Sequence, residues 1–200
     1  MAHLKYLLFL LLIGCTPKSQ NTNLYAITSK AKCKGPSGEY HTTLHATVDG
    51  YTRFIQNHPN RDTYDAICYG DTLGFALASD TIARWTERAE RAVGKGHSFH
   101  MIAYQPNLVF NSSKGKYFDV LENEVKVEFD SNTNQVRSFR LTNPFDSLEH
   151  IDIFFSNWEQ VQDIVLPMSV KIIQGGKDEF FFEFYDVKIN DPEFLKVPVH

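Results

Sequence analysis

Alternation of apolar and polar side chains in the second half of the chain constrains its fold more than any other feature. In residues 125–129, 151–155 and 180–184 an apolar residue recurs at every second position, and most of the positions between are charged. This period of two is that of a β-strand with one covered and one solvated face. No segment of helical length separates these strands, so we expect antiparallel pairing. The apolar face then needs a cover, which helices can supply.

The predicted strands are rich in Val, Ile, Thr, Tyr and Phe and are bounded by turn residues such as Asp49-Gly50 and Gly70-Asp71. In the first half of the chain they occupy residues 40–48, 51–57, 63–69 and 73–77. In the second half they occupy residues 99–104, 116–121, 124–130, 135–141, 149–155, 166–173 and 179–189. The chain is therefore predicted to be mainly β.

Two segments show helical periodicity instead. Leu24, Ile27 and Ala31 recur at a helical spacing, and Gly35-Pro36 ends that pattern, which predicts a short amphipathic helix. A longer helix is predicted from Ser79, a typical N-cap, to a terminating Gly94. Its apolar stripe consists of Ile82, Trp85, Ala89, Ala92 and Val93. We expect the helix around Trp85 to cover the apolar face of the sheet.

The N-terminus has the pattern of a signal peptide, with Lys5 followed by an apolar run that is too short to span a membrane. Leu12-Ile13-Gly14-Cys15 resembles a bacterial lipobox, which implies cleavage before Cys15 and acylation of its thiol. A plain secretory signal with an incidental cysteine is the alternative. We predict a signal peptide at 1–14, a lipidated tether at 15–22 and a single domain at 23–198. Thr16 after the cysteine favours the outer membrane of the cell envelope.

The charges are dispersed, and their formal sum is −4 at neutral pH. A nucleic acid is therefore not an expected partner, because its phosphates require clustered basic residues. Cys33 and Cys68 remain once Cys15 carries lipid. In an exported chain this pair predicts either a disulfide or two free, buried thiols.

Several motifs in the second half resemble the outer-membrane lipoprotein carrier superfamily. They are Tyr117-Phe118-Asp119-Val120-Leu121, Ile164-Val165-Leu166-Pro167 before a strand, and the closing Val187-Lys188-Ile189-Asn190. The resemblance covers residues 99–194, and residues 51–56 and 96–100 are similar to uncharacterised lipoproteins of the Bacteroidetes type. It implies a curved antiparallel sheet, an incomplete barrel, with helices on its concave side around an apolar cavity. Such a cavity accepts acyl chains.

Aromatic residues on the apolar strand face and on the predicted helix are the candidates for lining such a cavity. The alternative is that they fill a dry core, because sequence does not give an enclosed volume. The candidates are Trp85, Phe129, Phe139, Phe155, Trp158, Phe180, Phe182 and Phe184. Phe181 and Tyr185 lie on the other face and indicate a possible contact surface.

Three hypotheses of function follow. The first is a non-enzymatic, lipid-anchored protein that binds an acyl chain or another hydrophobic ligand, without cofactor or metal. The second is an envelope scaffold with a packed core and a protein partner. The third is a hydrolase that depends on histidine or on a metal, for which His97 and His100 are the candidates. In a strand these two side chains would point to opposite faces, so a shared metal is not expected.

Overall fold

The computed structural model describes residues 24–70, 73–77 and 83–191. The first six strands are β1 (Ala26–Gly35), β2 (Gly38–Thr47), β3 (Tyr51–Asn57), β4 (Tyr64–Tyr69), β5 (Leu73–Leu77) and β6 (Ala83–Trp85). Helix α1 (Arg88–Gly96), helix α2 (Phe99–Tyr104) and a 3₁₀ turn (Pro106–Leu108) follow. The remaining strands are β7 (Asn111–Ser113), β8 (Lys116–Phe118), β9 (Glu124–Phe129), β10 (Val136–Asn143), β11 (Asp146–Val161), β12 (Ile164–Gln174) and β13 (Asp178–Ile189).

All the strands form one curved, unclosed antiparallel sheet, in the order β6-β5-β4-β3-β2-β1-β13-β12-β11-β10-β9-β8-β7. The first and last strands pair in its middle, where Ile27 lies opposite Ile189. The two edges are therefore β6 and β7, which are neighbours in sequence order. The chain must cross the sheet to connect them, and α1 and α2 lie in that crossing, where α1 contacts β3 and β4 and α2 contacts β10 and β12. This architecture confirms the predicted fold class.

The predicted alternation is confirmed in the second half of the sheet. Phe139, Ile153 and Phe182 are buried on the covered face. Arg140 and Glu183, which lie between such positions, are exposed on the other face. Arg140 is held there by a bidentate ion pair with Asp152 on the neighbouring strand. One face therefore supplies the core, and the other is solvated.

The helix predicted from Leu24, Ile27 and Ala31 is wrong, because this segment is strand β1. It lies between β2 and β13 and hydrogen bonds to both. Residues on both of its faces are buried, including Thr28 and Ser29. Burial on two faces removes the polar alternation that identifies a half-covered strand, so the apolar spacing alone was misleading.

The strand predicted at 99–104 is also wrong, because these residues form helix α2. The predicted helix from Ser79 is wrong at its start, since α1 begins at Arg88 and the edge strand β6 precedes it. The N–H of Glu87 donates to the Glu90 carboxylate (3.1 Å), which begins the helix there rather than at Ser79. Ser79 itself lies outside the described residues. Within the ranges described, no helix is long and apolar enough to cross a membrane.

Candidate functional site

A cavity of about 500 Å³ lies between the covered face of the sheet and helix α1. Its volume falls within the range of small-molecule sites, about 300–1,000 Å³. Strands from both halves of the sheet contribute to its wall, and most of that wall is apolar. The lining residues include Tyr40, Phe54, Tyr64, Ala92, Val93, Phe99, Leu141, Ile151, Ile153, Ile172, Phe180 and Phe182.

Aromatic rings form part of the wall of the cavity. Phe99 on α2 meets Phe182 on β13 edge to face, with ring centroids 5.1 Å apart. Phe54 on β3 packs against the imidazole of His97 at 4.2 Å. These contacts join three elements that are distant in sequence. The wall is thus built by the helical crossing and by strands on both sides of β1.

His97 is one of the polar groups of this wall, and the acidic side chain in the lining, Glu90, forms an ion pair with Arg84. The Nδ1–H of His97 donates a hydrogen bond to the carbonyl oxygen of Val93 (2.7 Å), so Nε2 is the acceptor of the ring. Burial lowers the pKa of His97 to about 4, although its ring keeps a partly exposed surface, and the side chain lines the cavity. The protein therefore presents a neutral imidazole to an apolar space.

His100, three residues later, has a structural role. Its Nε2–H donates to the carbonyl oxygen of Pro167 (2.9 Å), and its Nδ1 accepts a hydrogen bond from the Ser29 hydroxyl (3.1 Å). The ring packs against Phe184 at 4.4 Å. Burial also lowers the pKa of His100 to about 4. With both nitrogens occupied, His100 joins α2 to strands β1 and β12.

The cavity opens at the end of the sheet where the hairpin between β10 and β11 turns. The side-chain amides of Gln56, Asn143 and Gln174 lie at this mouth, together with Phe145. Phe145 is 68% exposed, and the nearby Leu148 is 90% exposed. The apolar lining therefore continues outward onto the surface of the hairpin, and a few amides surround the entrance.

Of the eight predicted lining residues, Phe180 and Phe182 line this cavity. Phe139, Phe155 and Phe184 are buried in the packed core instead. The two readings of the aromatic face, a dry core and a cavity, thus each describe part of it.

The other three candidates lie elsewhere. Trp158 is partly buried and packs edge to face on Phe155, with centroids 6.2 Å apart. Phe129 is 43% exposed and lines a separate groove. Trp85 ends the edge strand β6, and its side chain lies outside the described part of the structure.

Sequence reasoning missed the lining residues from the first half of the chain. Phe54 and Gln56 have the spacing of one strand face, and Ala92 and Val93 belong to the predicted helical stripe. These spacings indicate buried residues, but they do not distinguish a cavity wall from a packed core. His97 lies between the predicted helix that ends at Gly94 and the predicted strand at 99–104, so its position on the cavity wall had no sequence signal.

Cys33 and Cys68 are both buried as free thiols, so the disulfide alternative is not formed. Cys33 lies on β1 and Cys68 on β4, three strands apart in the sheet. Three strand spacings amount to about 14 Å. A disulfide requires α-carbons within about 7 Å, so these two residues cannot bridge in this fold.

Within the described ranges, no group of three or more His, Cys, Asp or Glu side chains is placed to hold a metal ion. His97 belongs to an aromatic wall and His100 to a packed core. His100 does hydrogen bond to the hydroxyl of Ser29, but both side chains are buried, so no substrate can reach this pair in the structure.

No protein-family model matches the sequence, and no curated protein matches it. Solved structures do match. A LolA superfamily protein from Nitrosomonas europaea aligns with a TM-score of 0.56 at 6% identity, over 87% of this chain and 90% of its own. A DUF1329 family protein from Desulfovibrio piger aligns with a TM-score of 0.55 at 8% identity, over 86% of this chain and 88% of its own.

A third structure, from Vibrio parahaemolyticus, carries the provisional name of an outer membrane lipoprotein-sorting protein domain. It aligns with a TM-score of 0.54 at 10% identity, over 84% of this chain and 86% of its own. Similarity at such low identity demonstrates a shared fold. The chain therefore has the LolA-like fold that the sequence resemblance predicted.

Proposed function

We propose that this protein is a non-enzymatic lipoprotein of the bacterial envelope that binds an acyl chain or another hydrophobic ligand. The observation that carries the proposal is the mainly apolar cavity of about 500 Å³ beneath α1. Burial of each methylene group in such a site contributes about 0.8 kcal/mol, so an alkyl chain supplies affinity without charged anchors. The fold it shares with a lipoprotein-sorting domain supports the same reading.

The polar groups of the cavity suit a ligand with an apolar body and a polar head. Gln56 and Gln174 can hydrogen bond to a head group at the mouth, whereas the buried amide of Asn143 is bonded to Glu149 and to the backbone of Phe145. Inside, the neutral His97 can accept one hydrogen bond through Nε2 without introducing a charge. An ionised ligand group placed beside His97 would lose its hydration without gaining a counter-ion.

The start of strand β1 and the cavity mouth lie at opposite ends of the sheet. Strand β1 enters at Ala26, and antiparallel pairing places the β10–β11 hairpin with Phe145 at the other end. Ten residues of strand span about 33 Å. Residues 15–23 can reach at most about 30 Å from the acylated Cys15. We therefore propose that the mouth faces away from the anchoring membrane, with the outer membrane favoured, and receives ligand from that side.

Photolabelling tests the proposal at the level of single residues. The full chain, purified from bacterial membranes, is irradiated with a palmitic acid analogue that carries a diazirine, and the labelled peptides are mapped. We expect label on the segments around Val93, Phe145 and Phe182. Label confined to segments that contribute no residue to the cavity, for example strand β1 around Lys32, would refute binding in the cavity.

A variant that fills the cavity provides the matched test. Val93→Trp on α1 places an indole in the space that an alkyl chain would use, and labelling should fall at least fivefold. Ile55→Trp makes a similar change on the other face of β3 and should leave labelling unchanged. Equal losses in the two variants would mean that the label reports general destabilisation.

An envelope scaffold remains the second candidate function, and one observation favours it. Phe154, Phe181 and Tyr185 are exposed on the solvated face, and the Lys171 ammonium lies 5.3 Å from the centre of the Phe181 ring. Exposed aromatic residues beside a cation are common in protein interfaces. Cross-linking in cells tests it. A stoichiometric partner that is lost in Phe181→Ser but retained in Val93→Trp would favour the scaffold.

A further inference from the structure

A second cavity, of about 520 Å³, lies at the opposite end of the sheet from the mouth of the first. The 3₁₀ turn, the β7–β8 hairpin and the adjoining ends of β9 and β10 enclose it as a groove. The side chains in it differ from those of the first cavity. They include Tyr104, Gln105, Asn107, Ser112, Ser113, Lys114, Tyr117, Phe129 and Asn134.

Aromatic rings and neutral hydrogen-bonding groups are combined in this groove. Tyr104 and Tyr117 are half-buried, and Phe129 exposes 43% of its surface although its strand face is otherwise apolar and covered. The amides and hydroxyls of the groove make no hydrogen bond to other side chains or to backbone within the described residues. They are therefore free to bind a ligand, and Lys114 is the single charged side chain of the lining.

This mixture matches the chemistry of sugars. A pyranose ring has an apolar C–H face that packs on an aromatic ring, and its edge carries hydroxyls that both donate and accept hydrogen bonds. An acyl chain would displace water from the exposed amides of Gln105, Asn107 and Asn134 without offering them a hydrogen bond. A cationic ligand would find no carboxylate in the lining. We propose that this groove is a glycan-binding site, separate from the hydrophobic cavity.

The position of the groove gives the two sites different surroundings. It lies at the end of the sheet where the chain enters β1 at Ala26, whereas Phe145 marks the mouth of the first cavity at the other end. The groove thus lies at the end of the sheet where strand β1 begins. A glycan bound there would hold the protein in place and leave the hydrophobic cavity open.

Calorimetric titration of the full chain with chitotetraose and with maltotetraose tests the inference. The first probe represents N-acetylated amino sugars and the second plain glucans, and saturable binding of either supports the site. Phe129→Ala removes the exposed ring and should weaken binding about fivefold or more. Phe181→Ala, an exposed aromatic residue on the other face of the sheet, is the matched control and should have no effect.

A second variant covers the case in which Phe129→Ala does not fold. Asn134 has a left-handed backbone with φ of 57°, so Asn134→Gly removes the amide without backbone strain. It should weaken binding of the same oligosaccharide severalfold. Binding of neither probe, or equal weakening in Asn134→Gly and Phe181→Ala, would overturn the proposal. Val93→Trp should not change glycan binding, which separates this site from the hydrophobic one.

Discussion

The Nδ1–H of His97 donates a 2.7 Å hydrogen bond to the carbonyl oxygen of Val93, one helical turn earlier. The bond holds the ring against the cavity wall and determines its tautomer. Because burial lowers the pKa of His97 to about 4, the ring is neutral at physiological pH. The His97 ring therefore offers the cavity a hydrogen-bond acceptor without a charge.

Stability should depend on pH in the range where these histidines titrate. Burial lowers the pKa values of His45, His97 and His100 to about 4 each, from an ordinary 6.5. Between these two values the unfolded chain binds more protons, so the free energy of unfolding falls as the pH is lowered from 6.5 towards 4. We expect a loss on the order of 1–2 kcal/mol per histidine between pH 7 and pH 5.

Urea unfolding at pH 7, 6 and 5 measures this dependence. Few carboxylates titrate above pH 5, so the histidines dominate this window. His97→Phe should reduce the pH dependence by about one third, because it removes one of three equivalent groups. A free energy of unfolding that stays constant from pH 7 to pH 5 would contradict the assigned burial.

Replacement of His100 should cost more stability than replacement of His97. In His100→Leu the carbonyl of Pro167 and the hydroxyl of Ser29 lose their partners inside the core. Each unsatisfied buried group costs about 1–3 kcal/mol, so a loss of about 2–4 kcal/mol is expected at pH 7. His97→Leu leaves no carbonyl unpaired, because the backbone N–H of residue 97 still donates to the carbonyl oxygen of Val93 (3.1 Å). Similar losses of unfolding free energy in the two variants would show that the hydrogen bonds of His100 do not stabilise the packing of α2 against β1 and β12.

Gly94 permits helix α1 to approach strand β4. A β-carbon added at Gly94 would lie 3.1 Å from the sulfur of Cys68, closer than ordinary packing. Gly→Ala within a helix is otherwise stabilising by about 1 kcal/mol. We expect Gly94→Ala to be destabilising alone and stabilising in a Cys68→Ala background. A double-mutant cycle in urea measures the coupling, which should be about 1–2 kcal/mol, and strict additivity would contradict the close approach.

The two core thiols should be unreactive in the folded protein. Burial raises the pKa of Cys33 to about 12, and it also raises the pKa of Cys68. Iodoacetamide reacts with thiolates, so alkylation should be slow in buffer and complete in urea. Intact mass spectrometry without reductant counts the modified thiols. Alkylation in urea that appears only after reduction would demonstrate the disulfide that the strand spacing excludes.

Lipidation of Cys15 is the prediction that the sequence makes most directly. Mass spectrometry of protein from bacterial membranes should find a chain that starts at Cys15 and carries acyl groups. Two or more acyl chains give stable anchoring. Because Cys15→Ala removes the acylated thiol, we expect the variant either to lose its lipid anchor or to retain an uncleaved signal peptide. A chain cleaved elsewhere, with an unmodified Cys15, would support the plain secretory alternative.

Much of the sheet could be predicted because strand identity is a local property. The alternation in β9 and β11 to β13 follows from one face being covered, and it is visible without knowledge of what covers it. Turn residues such as Gly50 and Gly70, both with positive φ, marked the ends of strands in the first half. The class of fold was therefore predictable from periodicity, and the family resemblance supplied the curvature.

Local signals failed where distant segments decide the structure. Phe99–Tyr104 is rich in residues that favour strands, yet it is helical, because the chain must cross the sheet from β6 to β7 and His100 joins it to β1 and β12. The apolar residues of β1 have a helical spacing, but β1 is the strand that joins the two halves of the sheet through its pairing with β2 and β13. Tertiary pairing overrode local preference in both segments.

The sequence by itself determined most of the strands of the second half and their inward and outward faces, because these depend on residues close together in the chain. It also predicts export and lipid attachment at Cys15, for the same reason. The tertiary structure alone decided which aromatic residues enclose space. Phe182 lines a cavity and Phe184, two residues later on the same face, is packed against His100. An enclosed volume depends on the distance between α1 and the sheet, which many remote contacts set together and no single segment encodes.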